Sequence, residues 1–354
     1  MDSERRDIAV WALTPNAVAT AKALGSHPAF LGRVVLFMPE RFRGDRETPH
    51  EIYFTRFGES VRDRFTRFSH HVFIMAAGIV VRLIAPLIRH KTKDPSVVVM
   101  DEKGAFAISL LSGHIGGANA LCRKIGTAIQ AQPVITTATD VNGKPAIDEI
   151  AVRMGLAIEN PEKIKAVNMA ILMDEPIGVY DPYRLISGER FLSFRFYPAD
   201  PSSCDIFISD TLTTALDSDP LILRPGLLAV GIGCNRGTPK EEMESLLVEV
   251  FRRFNLSTKS IVTLASIDLK ADEKGLQALA MEWGLPIAFF SRIDLNQAKG
   301  VITSSTVVEK YTGAKSVCEA AAILSSNAGT LVVPKTKTKN ATLAVARRPP
   351  SSIS

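Results

Sequence analysis

Short apolar runs alternate with amphipathic segments along this chain, and that alternation restricts it to folds in which helices cover a sheet. The first run, IAVWAL at Ile8–Leu13, is followed by Thr14 and Pro15, a helix cap and a first-turn proline, and the helix then stops at Gly25. A second strand, RVVLFM, follows at residues 33–38. The same order returns in the last third of the chain. We therefore predict an α/β protein.

The length of the chain predicts more than one domain, because 354 residues exceed one ordinary core. Hydrophobic residues make up 46% of the chain and charged residues 22%, a globular rather than a disordered composition. Acids and prolines flank the apolar centre of DSDPLILRPG at residues 217–226, which marks a boundary. We predict three parts built of α/β layers: an N-terminal domain at residues 1–132, a middle domain at 133–222 and a C-terminal domain at 223–354.

The charge balance is mildly basic, with a net charge of +5. Nucleic acid, a membrane surface or a polyanionic small molecule could each favour such a charge. The segment at residues 41–71 mixes arginines with aromatic residues, as single-stranded nucleic-acid binders do. However, Phe57, Val61, Phe65 and Phe68 recur at helical spacing, which favours a packing helix. Since the basic residues are scattered, we predict no nucleic-acid partner.

Cysteine usage and hydropathy favour a cytoplasmic protein. The four cysteines form no C-x-x-C pair and no zinc-spaced cluster, so we predict no metal site and a reducing compartment. The most apolar run, residues 72–81, is too short to span a bilayer. The first residues lack the pattern of a signal peptide. We therefore expect no membrane association.

A glycine-rich bend, LLSGHIGGANALCRKIG at residues 110–126, joins a predicted strand to a predicted helix that begins near Ala118. Glycines permit positive φ and close approach of backbone amides, and the helix start directs its N–H groups to the same place. The bend therefore predicts a seat for a carboxylate or phosphate. Its predicted binding residues are Ser112, Gly113, Gly116, Gly117 and Asn119, beside His114. The alternative is a tight turn in which glycine serves only packing.

A second polar cluster follows the β-branched run PVITTATD at residues 133–140. Thr136, Thr137, Thr139 and Asp140 would lie at the carboxyl end of this strand, which is the ligand-facing edge in open α/β sheets. The alternative is a polar loop whose Asp140 only caps a turn.

A second glycine bend spans residues 231–239, GIGCNRGTP. Thr238 is the predicted cap of the following helix, and Glu241 completes a capping box. Arg236, with Gly237 in the same bend, could clamp a carboxylate. Cys234 is either a nucleophile or, as we favour, a small residue in a turn. Further along, Ser316 and Glu319 form a second predicted capping box, so we do not assign Glu319 to catalysis.

These motifs together resemble the cobalt-precorrin-5A hydrolase family of anaerobic cobalamin (vitamin B12) biosynthesis. The resemblance extends over about residues 77–347 and is most specific in its first stretch. The stretches that carry it are AGIVVRLIAPLIRHKTKDPSVVVMDEKGAFAISLLSGHIGGANALCRKIG, PVITTATD, VGIGCNRGTPKEEM, SVCEAAAIL and LVVPKTKTKNATLAVAR. It implies a three-part α/β protein with N-terminal, middle and C-terminal regions.

The resemblance also implies a reaction. The δ-lactone of a cobalt-bound, ring-contracted tetrapyrrole is opened with water, and a two-carbon fragment leaves as acetaldehyde to give cobalt-precorrin-5B. The protein would thus be a hydrolase acting on a carbon–carbon bond of a ketonic-type substrate. Cobalt belongs to the substrate in this reaction, so we expect no cofactor.

For this reaction we expect His114, which ordinarily titrates near neutrality, to transfer the proton. Amides of Gly116 and Gly117 would contact the oxyanion, and Asp140 would be a second base. The peripheral carboxylates of the substrate would bind basic side chains, namely Arg82, Lys91 and Arg236.

Other readings of the same residues stay open. The runner-up function is a tetrapyrrole carrier of the same pathway that binds without catalysis. A single-stranded nucleic-acid binder and a dinucleotide-dependent oxidoreductase are weaker alternatives. A small-molecule tetrapyrrole is the expected partner, and a homodimer is compatible with the sequence.

Overall fold

The fold was analysed in a computed structural model that describes residues 8–44, 48–90, 93–186, 194–212, 218–304 and 306–350, without the side chains of residues 306–308. The chain divides into two compact units, residues 1–149 and 150–354. Three sheets are found in the described residues, one in the first unit and two in the second. This three-part α/β architecture confirms the predicted fold class.

The first unit contains a seven-stranded sheet with the order β3-β2-β1-β4-β5-β6-β7. Its strands are β1 Ile8–Ala12, β2 Val34–Pro39, β3 Glu51–Phe54, β4 His70–Ile74, β5 Ser96–Met100, β6 Phe106–Leu111 and β7 Gln132–Val134. The strands β1 to β5 are parallel, whereas β6 forms an antiparallel hairpin with β5, and β7 is parallel to β6. The turn sequence DEKG at residues 101–104, between two apolar runs, predicts this hairpin, and the structure confirms it. The sheet includes β7, which crosses the predicted domain limit at residue 132.

Helices cover both faces of this sheet. They are α1 Pro15–Ser26, α2 Phe57–Arg64, α3 Ala77–Ile84 and α4 Ala118–Ile129, and the chain continues into the short helices α5 Ala138–Val141 and α6 Ile147–Arg153. The apolar residues of α1 and α4 share one core, and those of α2 and α3 share the core on the other face. Val61 and Phe65 are buried, which confirms the packing role predicted for the α2 segment. The cap of α1 is also confirmed, since the Thr14 hydroxyl accepts from the Ala17 amide at 3.3 Å.

The second unit contains two five-stranded sheets. The middle sheet has the order β10-β9-β11-β12-β8, with α7 Ile164–Leu172 between its first two strands in sequence. Its strands are β8 Leu156–Ile158, β9 Ile177–Tyr180, β10 Phe196–Pro198, β11 Ile206–Ile208 and β12 Leu221–Pro225. Only β8 runs antiparallel to its neighbour within this sheet.

The C-terminal sheet has the order β15-β14-β13-β17-β16, and β16 and β17 form an antiparallel hairpin. Its strands are β13 Leu228–Cys234, β14 Ile261–Ile267, β15 Ile287–Phe290, β16 Thr330–Lys337 and β17 Ala341–Arg347. Its helices are α8 Lys240–Arg253, α9 Lys274–Trp283, α10 Arg292–Gln297, α11 Thr306–Thr312 and α12 Cys318–Ser325. Helices α8 and α9 share one core, whereas α10 and α12 contribute to another.

Both predicted capping boxes are wrong. Helix α8 begins at Lys240, and the Thr238 hydroxyl donates to the Asn235 carbonyl at 2.9 Å instead of capping the helix. Glu319 is fully buried and accepts the amides of Ile302, Thr303 and Lys335 at 2.7–2.9 Å. Burial opposes ionisation of Glu319, but these N–H donors outweigh it and lower its pKa. Glu319 therefore joins three chain segments rather than one helix end.

Helix length and hydropathy were also compared with the demands of a bilayer. Among the helices within the described ranges, none is long and apolar enough to cross a membrane.

Candidate active site

The carboxyl ends of β6 and β7 bring two predicted clusters together. Because β6 runs antiparallel to β5, its end lies beside the amino end of β5, where Leu111 is opposite Val97. Strand β7 runs parallel to β6, so the segment that follows β7 reaches the same edge as the glycine-rich bend. The predicted strand PVITTATD ends early, at Val134, and its Asp140 lies on the short helix α5. This turn into a helix carries Thr139 and Asp140 back to His114.

His114 lies between two buried carboxylates. Its Nε2 is 3.0 Å from Asp140 Oδ2, and its Nδ1 is 3.3 Å from Asp148 Oδ2. The Thr139 hydroxyl lies 3.2 Å from Nε2. The His114 side chain is 15% exposed, and each of the two carboxylates is 8% exposed. The site is thus largely shielded while its imidazole keeps contact with solvent.

These contacts hold His114 as an imidazolium ion. The hydrogen bond with Asp148 favours the charged ring most, burial opposes it, and Asp140 adds to the stabilisation, which raises the pKa of His114 to about 9. With a carboxylate at each nitrogen, both ring nitrogens donate. The expectation that His114 titrates near neutrality is therefore wrong. At pH 7 the ring is a proton donor rather than a base.

Asp140 is surrounded by donors. Its Oδ2 accepts from Asn119 Nδ2 at 2.9 Å and from the Thr137 hydroxyl, and its Oδ1 pairs with Arg123. Burial works against the charge, but the hydrogen bonds from Thr137, Arg123 and His114 prevail and lower the pKa of Asp140. This environment makes Asp140 a weak base. It favours a role in holding His114 and the two loops together.

The glycine bend uses its own carbonyls to satisfy the start of α4. The Ala118 amide donates to Ser112 O at 3.1 Å, the Asn119 amide to Gly113 O at 2.9 Å and the Gly117 amide to His114 O at 2.9 Å. The amide of Gly117 is therefore not available as the predicted oxyanion donor. The bend needs Gly117 for its φ of +84°, and it is tight enough that a Cβ on Gly116 would overlap Ser112.

The Asn119 side chain ties the bend to both strands. It is buried, accepts from the Ser109 hydroxyl at 2.6 Å, and donates to Thr137 Oγ1 at 3.1 Å. A Cβ on Gly113 would lie 2.9 Å from Asn119 Oδ1, so glycine there leaves room for this amide. Of the threonines predicted with this cluster, Thr137 and Thr139 join it and Thr136 is exposed.

Arg82, one of the predicted basic contacts, is not a member of this cluster. Arg82 is on α3, which packs on the opposite face of the sheet from α4, and its guanidinium donates to Gly78 O at 3.2 Å. Lys91 falls outside the described residues. Arg236 belongs to the second unit and is paired with Asp272 at 2.5 Å, while the Gly237 amide donates to Glu273 at 2.8 Å.

The thiol of Cys234 has a raised pKa. Burial disfavours its thiolate, and Glu273 adds to that effect against the attraction of Lys270 and Arg236. A nucleophilic Cys234 is accordingly not favoured.

Sequence reasoning missed two charged members of the site, Arg123 and Asp148. Arg123 follows Asn119 by four residues on α4, so helical spacing places both on one face. That signal was available in the sequence. Asp148 follows His114 by 34 positions, and no local pattern connects them. In the described part of the chain, no group of three or more His, Cys, Asp or Glu residues is placed to hold a metal ion.

Comparison with known families accounts for nearly the whole chain. Residues 59–140 match the profile described as cobalamin synthesis G N-terminal, residues 145–225 the cobalamin biosynthesis central region, and residues 228–346 the cobalamin synthesis G C-terminus. This chain belongs to the cobalamin synthesis G (CbiG) family. The family resemblance inferred from the sequence is therefore confirmed. His114 and Asp140 lie in the N-terminal region of the family, and Asp148 lies in the central region.

Two full-length relatives of the CbiG family are curated as cobalt-precorrin-5A hydrolases. The protein of Priestia megaterium is 36% identical, with 98% of this chain and 96% of the relative covered. The protein of Salmonella typhimurium is 34% identical, with 90% of this chain and 92% of the relative covered. A crystal structure of a putative cobalamin biosynthesis protein G homolog from Sulfolobus solfataricus is 24% identical, covers 97% of both chains and has a TM-score of 0.39.

Proposed function

We propose that this protein is a cobalt-precorrin-5A hydrolase, which opens the δ-lactone of its cobalt-bound substrate with water and releases acetaldehyde. The observation that carries the proposal is the 36% identity over 98% of the chain to a protein with that activity in its name. The site supports it with a proton donor, since the half-shielded His114 lies between two carboxylates at a sheet edge. Cobalt is part of the substrate, and no protein cofactor is proposed.

In the first step, water adds to the lactone carbonyl and the ring C–O bond breaks. The leaving alkoxide requires a proton, and a positioned acid contributes typically 10²- to 10⁴-fold to such a step. The His114 imidazolium keeps its proton at pH 7 because the pKa of the ring is about 9. An alkoxide is a far stronger base than imidazole, so His114 donates to it. The products of this step are a carboxylic acid and a secondary alcohol, and the second proton of the attacking water is released to solvent.

In the second step, the alcohol loses acetaldehyde by a retro-aldol cleavage. His114, now neutral, takes back the hydroxyl proton as the carbon–carbon bond breaks. The bonding electron pair passes to the macrocycle, and that carbon takes a proton from solvent, which balances the proton released in the first step. One water is consumed overall, and His114 returns to its imidazolium form. The two flanking carboxylates favour that return.

The remaining predicted contacts form part of the same proposal. The contacts of Arg82, Lys91 and Arg236 with peripheral carboxylates of the macrocycle stay predictions, and Arg236 would have to leave Asp272 to make its contact. The expectations of a cytoplasmic location, of no nucleic-acid or membrane partner, and of a homodimer as one option stay predictions.

The test is release of acetaldehyde from cobalt-precorrin-5A by the full chain and by His114→Gln. Loss of the acid should lower kcat about 100-fold or more, with the fold retained. His27→Gln is the matched control, because this histidine directly follows α1, where its ring accepts the Ala29 amide and contacts Phe30. Near-normal acetaldehyde release by His114→Gln would remove His114 from the mechanism. Stoichiometric binding of the lactone without turnover by the wild type would favour the carrier function instead.

A further inference from the structure

Asp148 is a buried carboxylate to which the proposed mechanism gives no step of its own. We propose that Asp148 is a positioning residue, which fixes the orientation and the protonated form of His114 for the hydrolysis. This inference rests on the proposed function, because it concerns the same site. Asp148 lies in the first turn of α6 and is 6% exposed. A carboxylate so far from water requires a charged or hydrogen-bonding partner, and His114 Nδ1 is such a partner at 3.3 Å.

The two carboxylates at His114 are not equivalent. Asp140, from α5, shares its charge with Arg123 from α4, Asn119 and the Thr137 hydroxyl. Its attraction for the imidazolium is therefore distributed among several donors. The hydrogen bond with Asp148 does more than that with Asp140 to raise the pKa of His114. The Thr139 hydroxyl also lies at the ring, 3.2 Å from Nε2, and carries no charge.

Asp148 also fixes the plane of the ring. An imidazole bonded at Nε2 alone can turn about its side-chain torsions, whereas a second bond at Nδ1 removes that freedom. Since α5 and α6 supply the two carboxylates, the ring is held from two separate helices. Loss of Asp148 would therefore release the ring and weaken its hold on the proton, while Asp140 would keep its contacts with α4.

The first measurement is the titration of His114 by imidazole NMR in the full chain. The wild-type midpoint should lie well above the ordinary value of about 6.5. Asp148→Asn should lower the midpoint by about one pH unit or more, because an opposite charge within hydrogen-bonding distance is lost. Asp148→Glu should retain most of the shift. Glu149→Gln is the matched control, since it removes the same charge from the next position of α6 and should leave the midpoint unchanged.

The second measurement is the pH profile of acetaldehyde release. An acid must be protonated to act, so kcat falls on the alkaline side as His114 loses its proton. Asp148→Asn should move that alkaline limb to lower pH and reduce kcat at pH 8 by at least about 2-fold, with KM little changed. A residue needed only for folding would lower the amount of active enzyme without moving the limb.

The outcomes separate this inference from the proposed function. If the wild type releases no acetaldehyde, the proposed function fails, and the NMR titration still decides the role of Asp148. If Asp148→Asn keeps both the wild-type midpoint and the wild-type profile, the role of Asp148 is overturned while the function stands. Should Asp148→Asn not fold, the wild-type titration decides the matter, because a midpoint near the ordinary value of about 6.5 would also overturn the inference.

Discussion

At the scale of single residues, two histidines of the first unit show how opposite environments set opposite charges. His114 is held as a cation by two carboxylates, whereas His71 is fully buried among aromatic rings. Trp11 Nε1 donates to His71 Nδ1 at 3.0 Å, so the other nitrogen, Nε2, carries the hydrogen and donates to Phe65 O at 3.0 Å. Burial lowers the pKa of His71 to about 4. The neutral ring is thus a structural part of the core.

The lowered pKa of His71 predicts that the folded protein loses stability in acid. Its pKa is lowered in the folded state, so between about pH 6.5 and 4 the unfolded chain binds the additional proton. The free energy of unfolding should therefore fall over that range by about 3 kcal/mol from this group alone. His71→Gln, which can also accept from Trp11 and donate to Phe65, should lose this part of the pH dependence.

The free energy of unfolding is measured by denaturant unfolding, followed by Trp11 fluorescence in a Trp283→Phe background. The measurement is made at about pH 7 and about pH 4.5, because most of the proton uptake by His71 in the unfolded chain falls between these values. His27→Gln should keep the wild-type pH dependence. An equal pH dependence in His71→Gln and wild type would show that His71 does not titrate in this way.

At the scale of elements, local pattern was sufficient where local forces decide. The Thr14–Pro15 helix start, the β5–β6 hairpin and the α2 packing face were all visible in the sequence. Local pattern was insufficient where the hydrogen-bonding partner of a side chain belongs to a distant segment of the chain. Ser316 and Glu319 have capping-box spacing, but Glu319 instead binds amides 16 and 17 residues away. Likewise, the glycine bend and Asp140 were identifiable, whereas the partnership of His114 with Asp148 depends on how α6 packs.

Strand β13 and helix α12 pack so closely that the contact requires a glycine in the strand. A Cβ on Gly231 would overlap the Cys318 carbonyl oxygen and lie 2.8 Å from the Ala322 amide nitrogen. Both atoms belong to the helix backbone and cannot turn away. We predict that Gly231→Ala displaces α12 and lowers the free energy of unfolding by about 3 kcal/mol.

Thermal melting and hydrogen exchange of residues 318–325 test this prediction. Gly58→Ala is the control, because its nearest neighbour would be 3.8 Å away and α2 should gain up to about 1 kcal/mol from the alanine. Unchanged melting and exchange in Gly231→Ala would show that β13 and α12 separate without cost.

At the scale of the whole molecule, an ion pair between a buried carboxylate and a partly exposed arginine joins the middle sheet to the C-terminal sheet within the second unit. Asp210 follows β11 and is completely buried, and it accepts from Arg347 Nε at the end of β17 at 2.6 Å. Tyr183 Oη donates to the same carboxylate at 2.6 Å, and burial together with this bond raises the pKa of Tyr183. The Ser257 amide also donates to the Asp210 carbonyl at 2.7 Å. Residues from three distant parts of the chain thus meet at Asp210.

The contacts at Asp210 predict that the two sheets of the second unit unfold together. Arg347→Met would leave the buried Asp210 charge without its cation, which costs about 3–5 kcal/mol. Hydrogen exchange should then accelerate in β11 and β17 alike, although only β17 carries the substitution. Arg252→Met, on an exposed position of α8, should change neither strand.

The double variant Asp210→Asn, Arg347→Met separates charge from packing. It removes both ions, so no unpaired charge stays buried, and it should recover part of the stability that Arg347→Met loses. The amide oxygen that replaces the carboxylate in this variant could still accept from Tyr183. If the double variant were as unstable as the sum of the two single variants, the sheets would be held by packing around Arg347 and not by its charge. Faster exchange in β17 alone would show that the sheets unfold separately.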